Sequence, residues 1–284
     1  MKKIVVFVLF CFTAFLYAGN DKGIGGARMI GLAGANTAIR KDVWAGYNNP
    51  ASVAGIDKYS FGAGFERRFL LQELQYGQLA CAVPVQKATV IGTASTFGFD
   101  LYRETSASIG YARSFHEKYH AGASIQLHNT AIGENYGSAY SYTIQLGTQI
   151  NLSEKIVLGA DVYNLTRSTI GNQFKERIPT VYSMGVSYQP NKQCLITTMI
   201  DKDVDFKPRL RGGIEYTFLK ILSARLGAST NPDMAYAGLG FFYKGFGLDF
   251  AMSYHTFLGF TPNLSLRLDI NKVKPQIPKE EISN

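Results

Sequence analysis

From residue 58 to residue 270 the chain switches between apolar and polar side chains at almost every step, and this two-residue rhythm constrains its fold more than any other feature. Successive side chains of a strand point to opposite faces, so the rhythm describes sheet with one oily and one polar face. Tyr140, Tyr142, Ile144, Leu146, Thr148 and Ile150 fall on one face, and Ser141, Thr143, Gln145, Gly147, Gln149 and Asn151 on the other. Phe246, Leu248, Phe250, Met252 and Tyr254 alternate in the same way with Gly247, Asp249, Ala251, Ser253 and His255. Such runs predict fourteen strands, over 58–67, 71–83, 88–100, 104–115, 119–129, 138–150, 155–165, 179–189, 194–202, 208–218, 221–229, 234–243, 246–256 and 262–270. The alternation slips within 71–83 and 194–202. A tilted strand needs about 9–11 residues to cross a bilayer, and most of these runs reach that length.

The connections carry a second pattern. One set is short, at 84–87, 116–118, 151–155, 190–193, 219–220 and 244–245. The alternate set is mostly longer, at 130–137, 166–179, 203–207 and 231–234. An outer-membrane barrel has an even strand number, short periplasmic turns and longer outer loops, which places both chain ends in the periplasm. Lipid offers no partner to a backbone N–H or C=O, so the sheet has to close on itself. A soluble sandwich would alternate too, but with its apolar face buried. Composition separates the two. Only 18% of residues are charged, against about 25% in soluble proteins. Gly (29), Tyr (17) and Phe (19) fill the gap, as suits lipid-facing strands with aromatic girdles. The expected fold is all-β: a closed antiparallel transmembrane β-barrel of about fourteen strands over 57–271, with outer-membrane lipid as its surroundings and a periplasmic tail over 272–284.

The first residues read as an export signal. Lys2 and Lys3 are basic, Ile4 to Tyr17 is apolar, and Ala18 is a cleavage point, although Leu16 stands where a smaller residue is preferred. The apolar stretch is short for a spanning helix. This predicts a signal peptide over 1–18, leaving Cys81 and Cys194, too few for a disulfide framework; whether the two interact stays open. The net charge of +8 resides mostly in turns and loops, with no basic helix or stripe, which argues against nucleic acid. It is compatible with anionic lipid head groups.

Residues 19–56 do not alternate. They hold turn formers such as Gly23, Gly25, Gly26, Gly31, Gly34 and Asn48-Asn49-Pro50, yet are too apolar for a disordered tail. A fourteen-stranded lumen is wider than the eight-stranded one that side chains alone can fill. The segment is therefore expected to fold inward as a hatch.

Gly26-Ala27-Arg28-Met29-Ile30-Gly31-Leu32-Ala33-Gly34-Ala35, then Asp42, then Tyr47-Asn48-Asn49-Pro50-Ala51 resembles the N-terminal signature of PorV/PorQ-like proteins, relatives of the FadL-type outer-membrane transporters. Gly213-Ile214-Glu215-Tyr216 with Ala224-Arg225-Leu226-Gly227 is similar to a recurrent strand pair of that family. Gly247-Leu248-Asp249-Phe250-Ala251 with Leu258-Gly259 and Leu264-Ser265-Leu266 is similar to its closing hairpin. The resemblance spans nearly the whole mature chain. Two departures stand out: the chain is short for the family, so its loops are trimmed, and the last strand ends on Ile270 rather than an aromatic residue.

Chemistry-bearing motifs are sparse. His116, His120, His128 and His255 lack metal-ligand spacing, with His128 and His255 on the expected lumen face and His116 in a turn. No Gly-x-Ser-x-Gly elbow or phosphate loop occurs, so neither an enzyme, a metal nor a cofactor is expected. The candidate site is a set of lumen charges: Asp161, Arg211, Glu215, Arg225, Asp249, Arg267 and Asp269. Arg28, Arg40, Lys41 and Asp42 of the hatch could pair with them. Such pairs would form either a fixed structural network or a latch that breaks when the hatch moves. Asn48, Asn49 and Pro50 read as a tight turn into the barrel or as a hatch pivot. Trp44 fits either the lumen or an interface.

Three functions follow. The resemblance implies uptake of a hydrophobic small molecule, with release sideways through the wall, or a role with type IX secretion-system components that engage secreted proteins. The alternative is a structural or partner-binding outer-membrane barrel without a passage. Short outer loops offer little grip on a large client, which weakens the secretion reading.

Overall fold

A computed structural model describes residues 22–133, 137–171 and 176–272, so the expected signal peptide and nearly all of the expected tail lie outside the described residues. The barrel strands are β1 (Lys58–Arg67), β2 (Gln75–Val85), β3 (Ala88–Phe99), β4 (Tyr102–Phe115), β5 (Tyr119–Ile132), β6 (Gly137–Asn151) and β7 (Ile156–Tyr163), followed after a small hairpin by β10 (Val181–Tyr188), β11 (Cys194–Asp203), β12 (Arg209–Phe218), β13 (Leu222–Ser229), β14 (Met234–Tyr243), β15 (Phe246–His255) and β16 (Gly259–Asn271). The hairpin is β8 (Thr169–Ile170) with β9 (Glu176–Arg177). The fourteen longer strands form one closed antiparallel sheet. It shuts where β1 meets β16, with Tyr59 opposite Ile270 and Phe65 opposite Leu264.

The apolar face points outward, with Tyr140 at 78% and Leu239 at 64% exposure. Tyr119, Phe218, Tyr243 and Phe246 are exposed at the short-turn end, where a girdle would lie. A continuous oily belt of this kind is a lipid-facing surface, since a soluble monomer rarely exposes more than a few hundred Å² of contiguous apolar area. No described helix is long and apolar enough to cross a membrane.

Three strands differ from expectation by three residues or more, of which β5 simply runs on to Ile132 instead of ending at 129. β2 starts at Gln75 rather than residue 71, because Arg68–Leu70 coil into a 3-10 turn, and it runs on through Pro84. β16 starts at Gly259 and includes Pro262. Both prolines are tolerated for one reason. Pairing of β2 with β1 ends at Ala82, and pairing of β16 with β1 ends at Asn263, so each proline lies beyond its β1 partner. A proline lacks the N–H for a ladder bond and belongs where one side is unpaired.

The wall is uneven beside β6. β7 pairs only with Leu146–Asn151 of that strand. Gly137–Gln145 therefore has no barrel strand on that side among the described residues, and the connection carrying β8 and β9 runs along it. Leu165 N–H bonds Ile144 C=O (2.9 Å).

The segment before β1 forms two short helices, α1 (Gly26–Gly31) and α2 (Val43–Asn48), and a 3-10 turn at Pro50–Val53. Asp42 starts α2 by accepting the N–H of Trp44 (2.8 Å), and Asn49 starts the 3-10 turn by accepting that of Ala51 (3.0 Å). Pro50 follows at the first helical position, where no N–H is needed. Polar strand residues all round the sheet bond this segment's backbone. Ser265 of β16 accepts from Ala27 N–H (2.9 Å), Thr197 of β11 donates to Ala35 C=O (2.7 Å), and Ser187 of β10 donates to Ala38 C=O (2.9 Å). Met29, Leu32, Val43, Trp44 and Val53 cluster with Ala80, Ala82, Ile91 and Ala112 of β2 to β4. Glycines permit close approach of the wall to this segment, at Gly147 and Gly159 as well as at the two that follow. A Cβ on Gly122 would lie 2.6 Å from the Pro50 carbonyl carbon, and one on Gly213 would lie 2.7 Å from Leu32 Cα. Asp57 leads into β1 and Asn271 ends β16 at the same, short-turn end, while Lys22 lies deeper, beside Asp161.

Candidate functional site

Alternation puts Glu215 (β12), Arg225 (β13), Asp249 (β15), and Arg267 and Asp269 (β16) on the polar face. There they meet Arg28 and Asp42 in one chain of alternating sign. Asp249 accepts from Arg225 Nη1 (2.7 Å), and Arg225 Nε donates to Glu215 (2.5 Å). Glu215 also accepts two bonds from Arg28 (2.9 and 2.6 Å), a forked guanidinium–carboxylate pair. Arg28 Nη1 and Arg267 Nη1 then both donate to Asp42 Oδ2, each at 2.6 Å. Beyond them Arg267 Nε lies 3.5 Å from Asp269, which accepts from Ser60 (2.6 Å). Burial alone would raise the Asp42 carboxyl, but Arg267 and Arg28 outweigh it and hold it below the usual carboxylate range. Burial likewise opposes charge on Arg28, and Glu215 and Asp42 overcome it.

The other two charges sit apart from this chain. Asp161 (β7) takes Lys22 Nζ at 2.5 Å and Thr37 Oγ1 at 2.7 Å. Arg211 (β12) bonds Asp201 through Nε and Ala33 C=O through Nη1, both at 2.8 Å. Arg40 and Lys41 have no carboxylate partner among the described residues. Arg40 Nη1 reaches Asn151 (2.7 Å), and burial lowers its guanidinium from the ordinary value. Lys41 is exposed, with φ of 54°.

Asn48 and Asn49 cross-link the segment to itself. Asn48 Oδ1 accepts from Asn36 (2.7 Å) and its amide donates to Gly23 C=O (2.7 Å), while Asn49 donates to Thr37 C=O (2.8 Å). Trp44 is fully buried, and its indole N–H has no acceptor among the described residues. His128 bonds Thr143 (3.0 Å), His120 bonds Ser114 (2.9 Å), and His255 accepts the N–H of Phe257 (3.1 Å) in a turn. Cys81 and Cys194 are both free thiols. No group of three or more metal-ligating side chains occurs among the described residues.

Sequence reasoning missed Lys22, Asp201 and three glutamines. Gln149 is fully buried and donates to Thr37 C=O (2.8 Å), Ile39 C=O (3.0 Å) and Ser52 Oγ (2.9 Å). Gln78 bonds Gly26 N–H (2.8 Å) and Ile24 C=O (2.8 Å), and Gln145 donates to Asn48 C=O. Their only signal was a place on the polar face, which many other residues share.

A cavity of about 1090 Å³ lies between the N-terminal segment and the long-loop ends of the strands. Its floor includes Ile24, Asn36 and Thr37, and its walls include Phe97, Met199 and Arg211. Apolar surface there alternates with charges that are already paired, such as Arg177 with Asp203 and Asp205 (2.8 Å to Asp205).

No protein-family model matches the chain, and no curated protein matches it. Solved structures do. The Pseudomonas putida toluene transporter TodX superposes with a TM-score of 0.62 at 11% identity, over 88% of this chain and 97% of that one. The monoaromatic hydrocarbon channel CymD gives 0.65 at 14%, over 90% and 100%. A Pseudomonas aeruginosa FadL homologue gives 0.63 at 12%, over 89% and 100%. At such identities the shared property is the fold. The chain is a closed fourteen-stranded antiparallel barrel of the kind seen in FadL-type outer-membrane transporters.

Proposed function

We propose that this chain is an outer-membrane transport barrel whose residues 19–56 act as a hatch, admitting a small hydrophobic molecule. The observation that carries the reading is the 1090 Å³ cavity, floored by the N-terminal segment and open towards the long-loop end. That volume suits one or more small ligands. The similar barrels described as carrying monoaromatic hydrocarbons or toluene support a ligand of that class. In this reading the short turns and Asn271 face the periplasm, and the side of Gly137–Gln145 that β7 does not pair is the place for sideways release. The ion chain through Arg28 and Asp42 is the latch that keeps the hatch seated, and Asn48-Asn49-Pro50 is the fixed turn that delivers the chain to β1.

The secretion reading rests on the resemblance of Gly26–Ala35 and Tyr47–Ala51 to PorV/PorQ-like proteins. One deletion experiment separates the readings. Loss of toluene-class uptake with an unchanged secreted proteome supports transport. Loss of secreted cargo with normal uptake overturns transport in favour of secretion. Loss of neither leaves a structural or partner-binding barrel.

A further inference from the structure

Each of the six short turns contains one lysine: Lys87, Lys118, Lys155, Lys192, Lys220 and Lys244. Lys58 and Lys272 add two more where the barrel chain begins and ends. All are exposed, and none takes part in an ion pair among the described residues. Acidic residues at this end are few, chiefly Asp57, Glu117 and Glu154. The loops at the other end mix both signs, as in the pairing of Arg177 with Asp203 and Asp205. The positive excess of the chain is thus concentrated as a ring at one rim.

We propose that this lysine ring binds the head groups of anionic phospholipids in the leaflet that borders the short turns. The depth of the ammonium groups supports a lipid partner. Lys118 lies over the Tyr119 ring (5.5 Å) and Lys244 over the Tyr243 ring (5.2 Å). Both tyrosines are exposed on the outward face, where aromatic rings mark the membrane–water interface. Arg113 points outward near the end of β4, with its guanidinium over Phe115 (5.6 Å). A long basic side chain in that place runs its stem along the oily face and lifts its charge to head-group level. The distribution supports lipid as well. One cation per turn surrounds the whole circumference, which matches an annulus of lipids, whereas an acidic protein would need a patch on one side. Basic residues at a membrane surface attract anionic lipid by a screenable electrostatic interaction.

The inference rests on the bilayer reading, and one experiment tests both separately. The full barrel is reconstituted in phosphatidylcholine vesicles with trace spin-labelled phosphatidylglycerol or spin-labelled phosphatidylcholine, and the immobilised fraction is measured. Severalfold greater immobilisation of phosphatidylglycerol is expected at low salt, falling towards parity in high salt and in a variant with all six turn lysines changed to glutamine. The salt series needs no variant and stands if that variant fails to fold. Equal immobilisation of both labels at low salt overturns the ring while leaving the bilayer reading intact. A preference that survives both salt and the glutamine variant also overturns it. No immobilised lipid of either kind overturns the bilayer reading itself. Tight binding of soluble polyglutamate with no phosphatidylglycerol preference would assign the ring to an acidic protein instead.

Discussion

Asp42 and Arg267 stand 225 positions apart in the chain and meet at 2.6 Å, joining the segment before the barrel to the last strand of the barrel. Arg28 reaches the same carboxylate oxygen, so Asp42 neutralises two guanidiniums while capping α2. Removing it leaves two partly buried guanidiniums facing one another, Arg28 with Glu215 and Arg267 with the more distant Asp269 as their remaining carboxylates. Asp42→Ala is expected to destabilise the seated segment by about 3 kcal/mol, with about 1 kcal/mol of that from the lost cap. Asp42→Asn keeps the cap and should recover only that smaller part. Urea unfolding of the detergent-solubilised barrel measures the difference.

The same carboxylate sets a pH dependence. Its folded value lies below its ordinary 3.8. Its ion pairs therefore contribute fully above the ordinary value and are lost as pH falls through the lower folded one. Trp44 is the single tryptophan of the chain and is fully buried within this helix, so its fluorescence reports the segment alone. Emission should stay blue-shifted and shielded from acrylamide at neutral and mildly acid pH. It should shift red only below 3.8. A red shift already at neutral pH would contradict the account.

Arg211 holds the segment through Ala33 C=O and is itself held by Asp201. Arg211→Ala should raise single-channel conductance or leak in planar bilayers, because it frees a backbone carbonyl and leaves Asp201 with only the longer contact to Arg209 (3.8 Å). Unchanged conductance would count against a role for Arg211 in holding the segment.

Close approach gives a steric test. Gly122→Val places a branched side chain against Pro50, where even a Cβ would lie 2.6 Å from the carbonyl carbon. The variant should keep its barrel, seen as heat-modifiable migration, but expose Trp44 to acrylamide. Gly77→Ala, whose nearest contact would be Thr96 at an ordinary 3.4 Å, should leave quenching unchanged.

Much of the wall is legible from the sequence, because a two-residue period maps directly onto two faces. Tyr140 to Ile150 show it most clearly, and the register of β5 with β6 keeps every apolar residue of that run outward. The alternation fails where the backbone stops being regular. Phe69 and Leu70 take positive φ (53° and 62°), so the oily run before Gln75 coils instead of extending. The Pro84 and Pro262 endings are hidden for a different reason: their fitness depends on where β1 stops pairing, a long-range property. For the charges, parity indicates which residues share the polar face, but not which partner each one meets. Arg28 joins Glu215 across 187 positions, and nothing local to either residue encodes that. Gln149 is harder still, since its three acceptors are two backbone carbonyls and a serine that only the folded segment presents.

In the proposed function, residues 22–56 stop the lumen of a membrane-embedded barrel. Planar-bilayer conductance of the full chain against a variant lacking those residues tests it most directly. A nearly closed full-length barrel is expected, with a large, steady conductance after deletion. Equal conductance from both proteins would contradict it.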